Sequence, residues 1–534
     1  MVLIAQILFL FSALNSAIYF TYLWQLKEYR LDRMSESLSY ASGWKRLFPF
    51  FYQAKIFILM TGVLYFLISQ NSFVLVVEGV LALGFELVEA GYRLFKHHYF
   101  RPERTAKALL VVVLSFVVEV AGAFALGLTD SAWNLALFSL LSLPIVTLIV
   151  ALFWPITNLV KQKSIRAGTK KIDEMPNLKV IGITGSYGKS STKMFLDQIL
   201  TTKFKVLKTP GNTNVDIGVA RVILNDLKIE HEVFIVEMGA YKMGEIRKIG
   251  KMVKPQIAIV TAVENQHLAL FGSLENLKKA KYELIESLRD GGVAIFNQDS
   301  EGAMVLAKKA QEEKKMKVLK YSSLSSADIQ AQNIVIEMES LSFEVLGTLF
   351  KAPLIGKHHI PNLLASIAVA LQLGMKLNEI AAVFPQLKAP AKTMELKKNL
   401  SLSVIDDSYN SNPDGTIAAL HHLLTFRDCK KIMVFPGMLE LGSASYAEHV
   451  RVGQEIAKIC DEVIFTAEDF LKPLQEGMGE HFGGGVRIII KDQDEIFQAL
   501  NSMIQTQHAV ILFESRGAEL AMKKLLDTST QNHE

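Results

Sequence analysis

Apolar windows long enough to cross about 30 Å of hydrocarbon recur in the first 160 residues, near 2–24, 50–70, 73–95, 107–128 and 134–157. No other feature limits the architecture so strongly. Lipid offers no water to stray backbone N–H and C=O groups, so such segments must close their hydrogen bonds internally, as helices. A mean hydropathy of +0.26 over 534 residues points the same way, being too apolar for an ordinary soluble enzyme. The expected N-terminal part is therefore an α-helical transmembrane bundle of about five spans over residues 1–160.

The basic residues orient it. Lys27, Arg30, Arg33, Lys45 and Arg46 follow the first span, Lys96, Arg101, Arg104 and Lys107 the third, and Lys161, Lys163, Arg166, Lys170 and Lys171 the fifth. The turns near Asn71 and Asp130 carry no Lys or Arg. By the positive-inside rule the N-terminus lies outside and everything beyond residue 160 lies in the cytoplasm. The expected location is a bacterial-type inner (plasma) membrane, spanned several times. No basic residue precedes Lys27, so the first span lacks the n-region of a cleaved signal and is expected to stay.

Within the spans, Glu78, Glu86 and Glu89 fall on one helix face and Glu119 lies in the next span. Carboxylates are costly in lipid, so that face should turn inward, toward Lys55 or Arg93, as a site for a lipid-linked substrate or as helix–helix glue. A net charge of +4 argues against a nucleic-acid partner and leaves membrane lipid as the partner of the basic segments. Cys429 and Cys460 have no zinc-site spacing and are expected to be core thiols.

Beyond residue 175 short β-rich runs alternate with helical periodicity, the pattern of α/β domains with parallel sheets. A basic linker is expected at 161–177, an ATP-binding domain at 178–390 and a Rossmann-like domain at 391–534. Residues from about 329 to 354 read as an antiparallel annex. The strand Lys179–Thr184 runs into Gly185-Ser186-Tyr187-Gly188-Lys189-Ser190-Ser191 and then a helix. A glycine loop ending in Lys-Ser at a helix N-terminus converges N–H groups and a positive dipole end on phosphate oxygens. Lys189 suits the β/γ-phosphates and Ser190 suits Mg²⁺. The chain is expected to use ATP or GTP.

Further motifs follow in order: Lys208-Thr209-Pro210-Gly211-Asn212-Thr213-Asn214, then Val236-Glu237-Met238-Gly239, Glu264-Asn265-Gln266-His267, Ala280-Lys281-Tyr282-Glu283, and Ile405-Asp406-Asp407-Ser408-Tyr409-Asn410-Ser411-Asn412-Pro413-Asp414. This series resembles the Mur ligase superfamily over about residues 176–520, and within it the members that add D-alanyl-D-alanine to a muramoyl-tripeptide. The resemblance implies a P-loop central domain and a C-terminal Mur ligase domain. The implied reaction is ATP-dependent ligation through an acyl phosphate, with ATP and Mg²⁺ as cofactors.

The implied ligands of ATP are Gly185, Ser186, Gly188, Lys189, Ser190, Ser191, Asn297 and Asn362, the two asparagines on the adenine side. Ser190, Glu237 and His267 are implied for the metal, and Lys189, Lys281 and His267 for catalysis, with Lys281 carbamylated. Asn212, Asn214, Asp407, Asn410, Asn412 and Asp414 are implied for substrate. Glu440 and His449 match the pattern without an assigned step. Taken alone, Asn362 also reads as a helix N-cap.

The family usually has Gly-Arg where this chain has Lys392-Thr393, Gly-Asp where it has Pro436-Gly437, and Lys-Gly-Ser where it has Phe513-Glu514-Ser515. The implied partners are a muramoyl-peptide precursor, UDP-linked or lipid-linked, and D-Ala-D-Ala or another amine. Other readings are a ligase acting on a polyglutamate-like acceptor and a membrane scaffold with a degenerate ATPase.

Overall fold

The computed structural model describes residues 1–37, 44, 46–95, 100–240, 242–264, 271, 273–313, 316–399, 402–409, 411–439, 441–479, 485–489, 492–504 and 508–531. The chain divides into two compact units, Met1–Val160 and Lys161–Glu534.

The first unit is helical: Val2–Leu26, Phe50–Ser69, Phe73–Phe95, Ala106–Ala125, Ala132–Phe138 and the start of Ser142–Asp173. Among the described residues, four stretches are long and apolar enough to cross a membrane by length and composition: Val2–Leu26, Phe50–Ser69, Ala106–Ala125 and Ala132–Asp173. The expected third span forms a helix but falls outside this group, because Glu78, Glu86, Glu89 and Arg93 lower its apolarity. The fifth is longer than expected, and its first two turns are set off by the 3₁₀ turn Ser139–Leu141.

Of the glutamates expected to turn inward, Glu86, Glu89 and Glu119 have partners inside the bundle, while Glu78 is half-buried. The fully buried Lys55 Nζ lies 2.5 Å from Glu86 Oε2, and the Glu86 carboxylate also accepts from Ser12 at 2.6 Å, Asn15 at 2.8 Å and Ser16 at 3.0 Å. Each oxygen thus has donors, which a buried charge requires. Glu89 pairs with Arg93 one turn on, at 2.6 Å, and Glu119 accepts from Ser142 at 2.9 Å. Apolar side chains such as Leu64, Ile68, Val88 and Leu109 point outward and are mostly exposed.

In the second unit the core strands read as almost continuous apolar runs because both faces are covered by helices. The strands are β1 (Lys179–Thr184), β2 (Val206–Lys208), β3 (Val233–Glu237), β4 (Ile257–Val260), β5 (Val293–Asn297), β6 (Lys317–Ser322) and β7 (Ile329–Gln330). They form a parallel sheet in the order β2-β3-β1-β4-β5-β6-β7. Winding reverses beside β1, so the crevice beyond its carboxyl end, between β3 and β4, is where such a sheet takes a ligand.

The annex is the antiparallel sheet β8 (Gln332–Ile336), β9 (Leu341–Val345) and β10 (Thr348–Ala352). A third sheet follows, of β11 (Glu395–Asn399), β12 (Leu402–Asp407), β13 (Lys430–Phe435), β14 (Glu462–Phe465), β15 (Gly485–Ile488) and β16 (Ala509–Glu514), in the order β11-β12-β16-β13-β14-β15. Only its edge pair β11–β12 is antiparallel.

Two expectations are corrected. The basic stretch 161–177 is helical as far as Asp173 and belongs to the second unit: Ile172 and Met175 are buried in its core, Lys161 pairs with Asp216 at 2.8 Å, and Lys171 donates to the Leu224 carbonyl at 3.1 Å. Cys460 is a core thiol, pushed up to about 12 by burial, whereas Cys429 is only half-buried.

Candidate active site

The phosphate loop stands at the carboxyl end of β1. Gly185 (φ +153°) and Gly188 (φ +80°) adopt backbone that side chains disfavour, and each packs too closely for one. A methyl group at Gly185 would lie 2.0 Å from Thr261 Oγ1, and one at Gly188 would lie 2.4 Å from Asn362 Oδ1. Gly188 caps the helix Lys189–Leu200, whose free N–H groups face the loop. The Lys189 ammonium is held by the loop's own Gly185 and Ser186 carbonyls at 2.7 and 2.9 Å.

Glu237 closes β3 one strand away and is almost fully buried. Its Oε2 accepts from Ser190 Oγ at 2.9 Å and from Lys193 Nζ at 2.8 Å, and its Oε1 accepts from Asn214 Nδ2 at 3.1 Å. Lys193 also donates to the Gly211 carbonyl at 2.5 Å. The 208–214 motif is thereby tied to the end of β3: Asn214 bonds Glu237, while Asn212 is exposed on the same loop.

Lys281, on the helix Leu274–Glu286, is buried and its amine is held well below the usual lysine range, first by desolvation and then by the Lys189 charge, against the opposing pull of Glu237. His267, Asn410 and Glu440 lie outside the described residues.

A cavity of about 570 Å³ brings much of this together. One wall is the loop from Ser186 to Ser191 with Asn297 and Asn362; the other carries Asp407, Asn412, Asp414 and Glu514. Asn362 sits inside the helix His359–Gln372, whose N-cap is His358, so the N-cap reading of Asn362 is overturned; its Oδ1 accepts from Thr192 at 3.2 Å. Asn297 Oδ1 accepts from the Asp299 N–H at 3.0 Å. Asn412 caps the helix Pro413–Leu423 by accepting from Gly415 N at 3.0 Å, and Asp414 pairs with Arg451.

His449 is structural. Its Nε2 accepts from the Met438 N–H at 2.9 Å, its Nδ1 faces the Ser445 carbonyl at 2.6 Å, and burial holds it below the usual histidine range.

Sequence reasoning missed Lys193, Thr416 and Glu514. Lys193 was findable, since it lies one turn beyond Lys189 on the same helix face. Glu514 stands out in sequence only as a departure from pattern, because its environment is assembled from three separate segments.

The donors fit the nucleotide and metal that the motifs imply. The two glycines leave a cradle that any Cβ would fill, and Ser190 and Glu237 offer the hard oxygen ligands Mg²⁺ takes. Among the described residues no cluster of three His, Cys, Asp or Glu forms a metal site, so phosphate oxygens and water would have to complete the coordination.

Residues 183–370 match the Mur ligase middle domain and residues 394–516 the Mur ligase, glutamate ligase domain. The chain is 30% identical over 346 residues to the UDP-N-acetylmuramoyl-tripeptide–D-alanyl-D-alanine ligase of Bacillus subtilis, covering 64% of this chain and 74% of that protein. For the Escherichia coli enzyme of the same name the figures are 30% over 367 residues, 66% and 77%. Crystal structure I of MurF from Acinetobacter baumannii superposes with a TM-score of 0.62 at 27% identity, covering 69% of this chain and 80% of that one. MurF from Thermotoga maritima in complex with ADP gives 0.61 at 25%, covering 70% and 84%. With both domain models matched and three quarters of a 30%-identical relative covered, the chain belongs to the Mur ligases, ATP-dependent enzymes that form carbon–nitrogen bonds.

Proposed function

We propose that the chain is a membrane-anchored ligase that uses ATP and Mg²⁺ to join D-alanyl-D-alanine to a muramoyl-tripeptide in peptidoglycan precursor synthesis. The observation that carries this is the single cavity with the phosphate loop on one wall and Asp407, Asn412 and Asp414 on the other. A ligase of this type must hold a nucleotide, an acid and an amine in one enclosure.

The carboxylate of the tripeptide takes the γ-phosphoryl group, and the amine then attacks the acyl phosphate. Both steps build negative charge, which Lys189 and the helix N-terminus at Gly188 are placed to stabilise. Lys193 and Asn214 orient the Glu237 carboxylate, which with Ser190, and with His267 by resemblance, would hold Mg²⁺. When bound, that ion neutralises charge on the phosphoryl oxygens. Burial and the Lys189 charge hold the Lys281 amine well below the usual lysine range, which favours the uncharged form that adds CO₂, and this supports a carbamate at that position.

The first unit supports a membrane location, since its ion pair is inside and its large apolar side chains are outside. That placement favours a second possibility for the acyl substrate, a lipid-linked muramoyl-peptide met at the bilayer surface. The test is mass spectrometry of products from purified full-length protein with ATP, UDP-linked or lipid-linked tripeptide, and a panel of amines. Addition of D-alanyl-D-alanine is expected. ADP release with none of the acceptors would overturn the assignment and favour a scaffold.

A further inference from the structure

The helix Ser142–Asp173 continues past the last apolar stretch and lies along the helix Asp216–Asn225. Lys161 Nζ meets Asp216 Oδ1 at 2.8 Å, a methyl group at Gly168 would lie 3.7 Å from the Ala220 Cα, and Lys171 Nζ donates to the Leu224 carbonyl at 3.1 Å. Lys161 and Lys171 stand about 15 Å apart along their helix, so they grip the other helix near its two ends.

The first grip adjoins the active site. Immediately before Asp216 runs the segment 209–215, and its hydrogen bonds go to the carboxyl end of β3 and to the phosphate-loop helix. Thr209 Oγ1 accepts from the Glu237 N–H at 3.1 Å, the Gly211 carbonyl accepts from Lys193 at 2.5 Å, Asn214 Nδ2 donates to Glu237 Oε1 at 3.1 Å, and the Asn214 carbonyl accepts from the Gly239 N–H at 2.9 Å. Gly211 lines the cavity. The segment is thus a strap, fixed to the end of β3 on one side and, through Asp216, to Lys161 on the other. It borders the metal end of the site, where the acid must lie to receive the phosphoryl group.

Asp216 is buried, and its Oδ1 also accepts from the Ile217 N–H at 2.8 Å. The helix N-terminus favours a carboxylate there by only about 0.3–1 kcal/mol. The cation paired with it is Lys161. A fully exposed pair would contribute little, but this carboxylate is buried, and without Lys161 it regains solvation only by moving outward. The strap would move with it.

We propose that Lys161 is a positioning residue for the ligation: through Asp216 it holds the strap 209–215 in the shape that binds the acid substrate. This rests on the ligase reading above. The nucleotide, held by the phosphate loop, does not depend on the link.

Full-length Lys161→Met and Asp216→Asn test it, with Lys161→Arg and Lys171→Met beside them. Both test variants should raise the KM for UDP-linked tripeptide at least about tenfold, or about 1.4 kcal/mol. Their kcat should stay within about threefold of wild type and their ADP binding should be unchanged. The double variant should be no worse than the worse single one, because the two residues act as one link. Lys161→Arg keeps the charge and should keep the KM. Lys171→Met breaks the other grip and should leave the KM unchanged, whatever it does to the melting temperature. Asp216→Asn preserves the shape of the side chain and so reads the KM even if Lys161→Met does not fold. An unchanged KM in Asp216→Asn, additive losses in the double variant, or an equal rise in Lys171→Met overturns the proposal, the contact then only docking one helix on another. Weakened ADP binding overturns it as well. A wild type that adds D-alanyl-D-alanine to no acceptor removes the ligase reading itself, a result that no difference among the variants can mimic.

Discussion

Glu237 can be buried and ionised because Ser190, Lys193 and Asn214 divide its charge among them. Lys193→Met would leave that carboxylate in the interior without its cation, and breaking one side of a buried pair costs about 3–5 kcal/mol. Denaturant unfolding of the full-length protein, followed by a probe in the second unit, should show that loss. Lys189→Ala should instead leave stability nearly unchanged and abolish acceptor-dependent ADP release; activity within about tenfold of wild type would contradict its role at the γ-phosphate. Lys281→Ala should be inactive and partly rescued by acetate or formate, which supply the anion that a carbamate would have provided.

The carboxyl pair at the facing ends of β12 and β16 predicts a pH effect of definite sign. Asp407 and Glu514 titrate higher in the folded chain than in the unfolded one, so the stability they contribute is complete in acid and lost as pH rises, through about 7 for Asp407. Glu514→Gln removes the repulsion. Its melting temperature relative to wild type should therefore climb as the pH is raised from acid through about 7, where Asp407 ionises.

Among the elements, the phosphate-loop helix and the inward face of Phe73–Phe95 were legible in sequence because each combines strong periodicity with residues that have few other uses. The strands β2, β6 and β11 were not. β2 is three residues long, β6 and β11 alternate with lysines, and only their neighbours in the sheet make them strands. The helix Ser142–Asp173 outruns the apolar window that announces it, because Ile165 and Ile172 find a core that hydropathy cannot foresee. Close approach of elements was likewise invisible. A methyl group at Gly79 would fall 2.6 Å from the Ala132 carbonyl carbon, a backbone atom that cannot swing aside. Gly79→Leu should separate those helices and lower the melting temperature of the first unit, whereas Gly91→Leu, with open space around it, should not.

For the whole molecule, the boundary at Val160–Lys161 defines the useful truncation. A fragment from Lys161 keeps Ile165 and Ile172 with their core, where one starting at residue 172 would strip Ile165 and leave Ile172 at its first position. That fragment should match full-length protein in kcat/KM on UDP-linked tripeptide. On lipid-linked tripeptide it should fall well below it, since confinement to the bilayer raises effective concentration without any new contact.

Sequence by itself determined the helical, apolar first part, the α/β series after it and the phosphate loop. Hydrophobic period and glycine spacing are local properties, written within one or two turns of chain. Tertiary structure alone decided that Lys193 neutralises Glu237, that Asn362 touches the phosphate loop rather than capping a helix, and that Glu514 meets Asp407. Each of those contacts joins segments between 44 and 170 residues apart or neighbouring strands ordered only by the sheet. Charge compensation and close approach are set by distance in space, which no local pattern records.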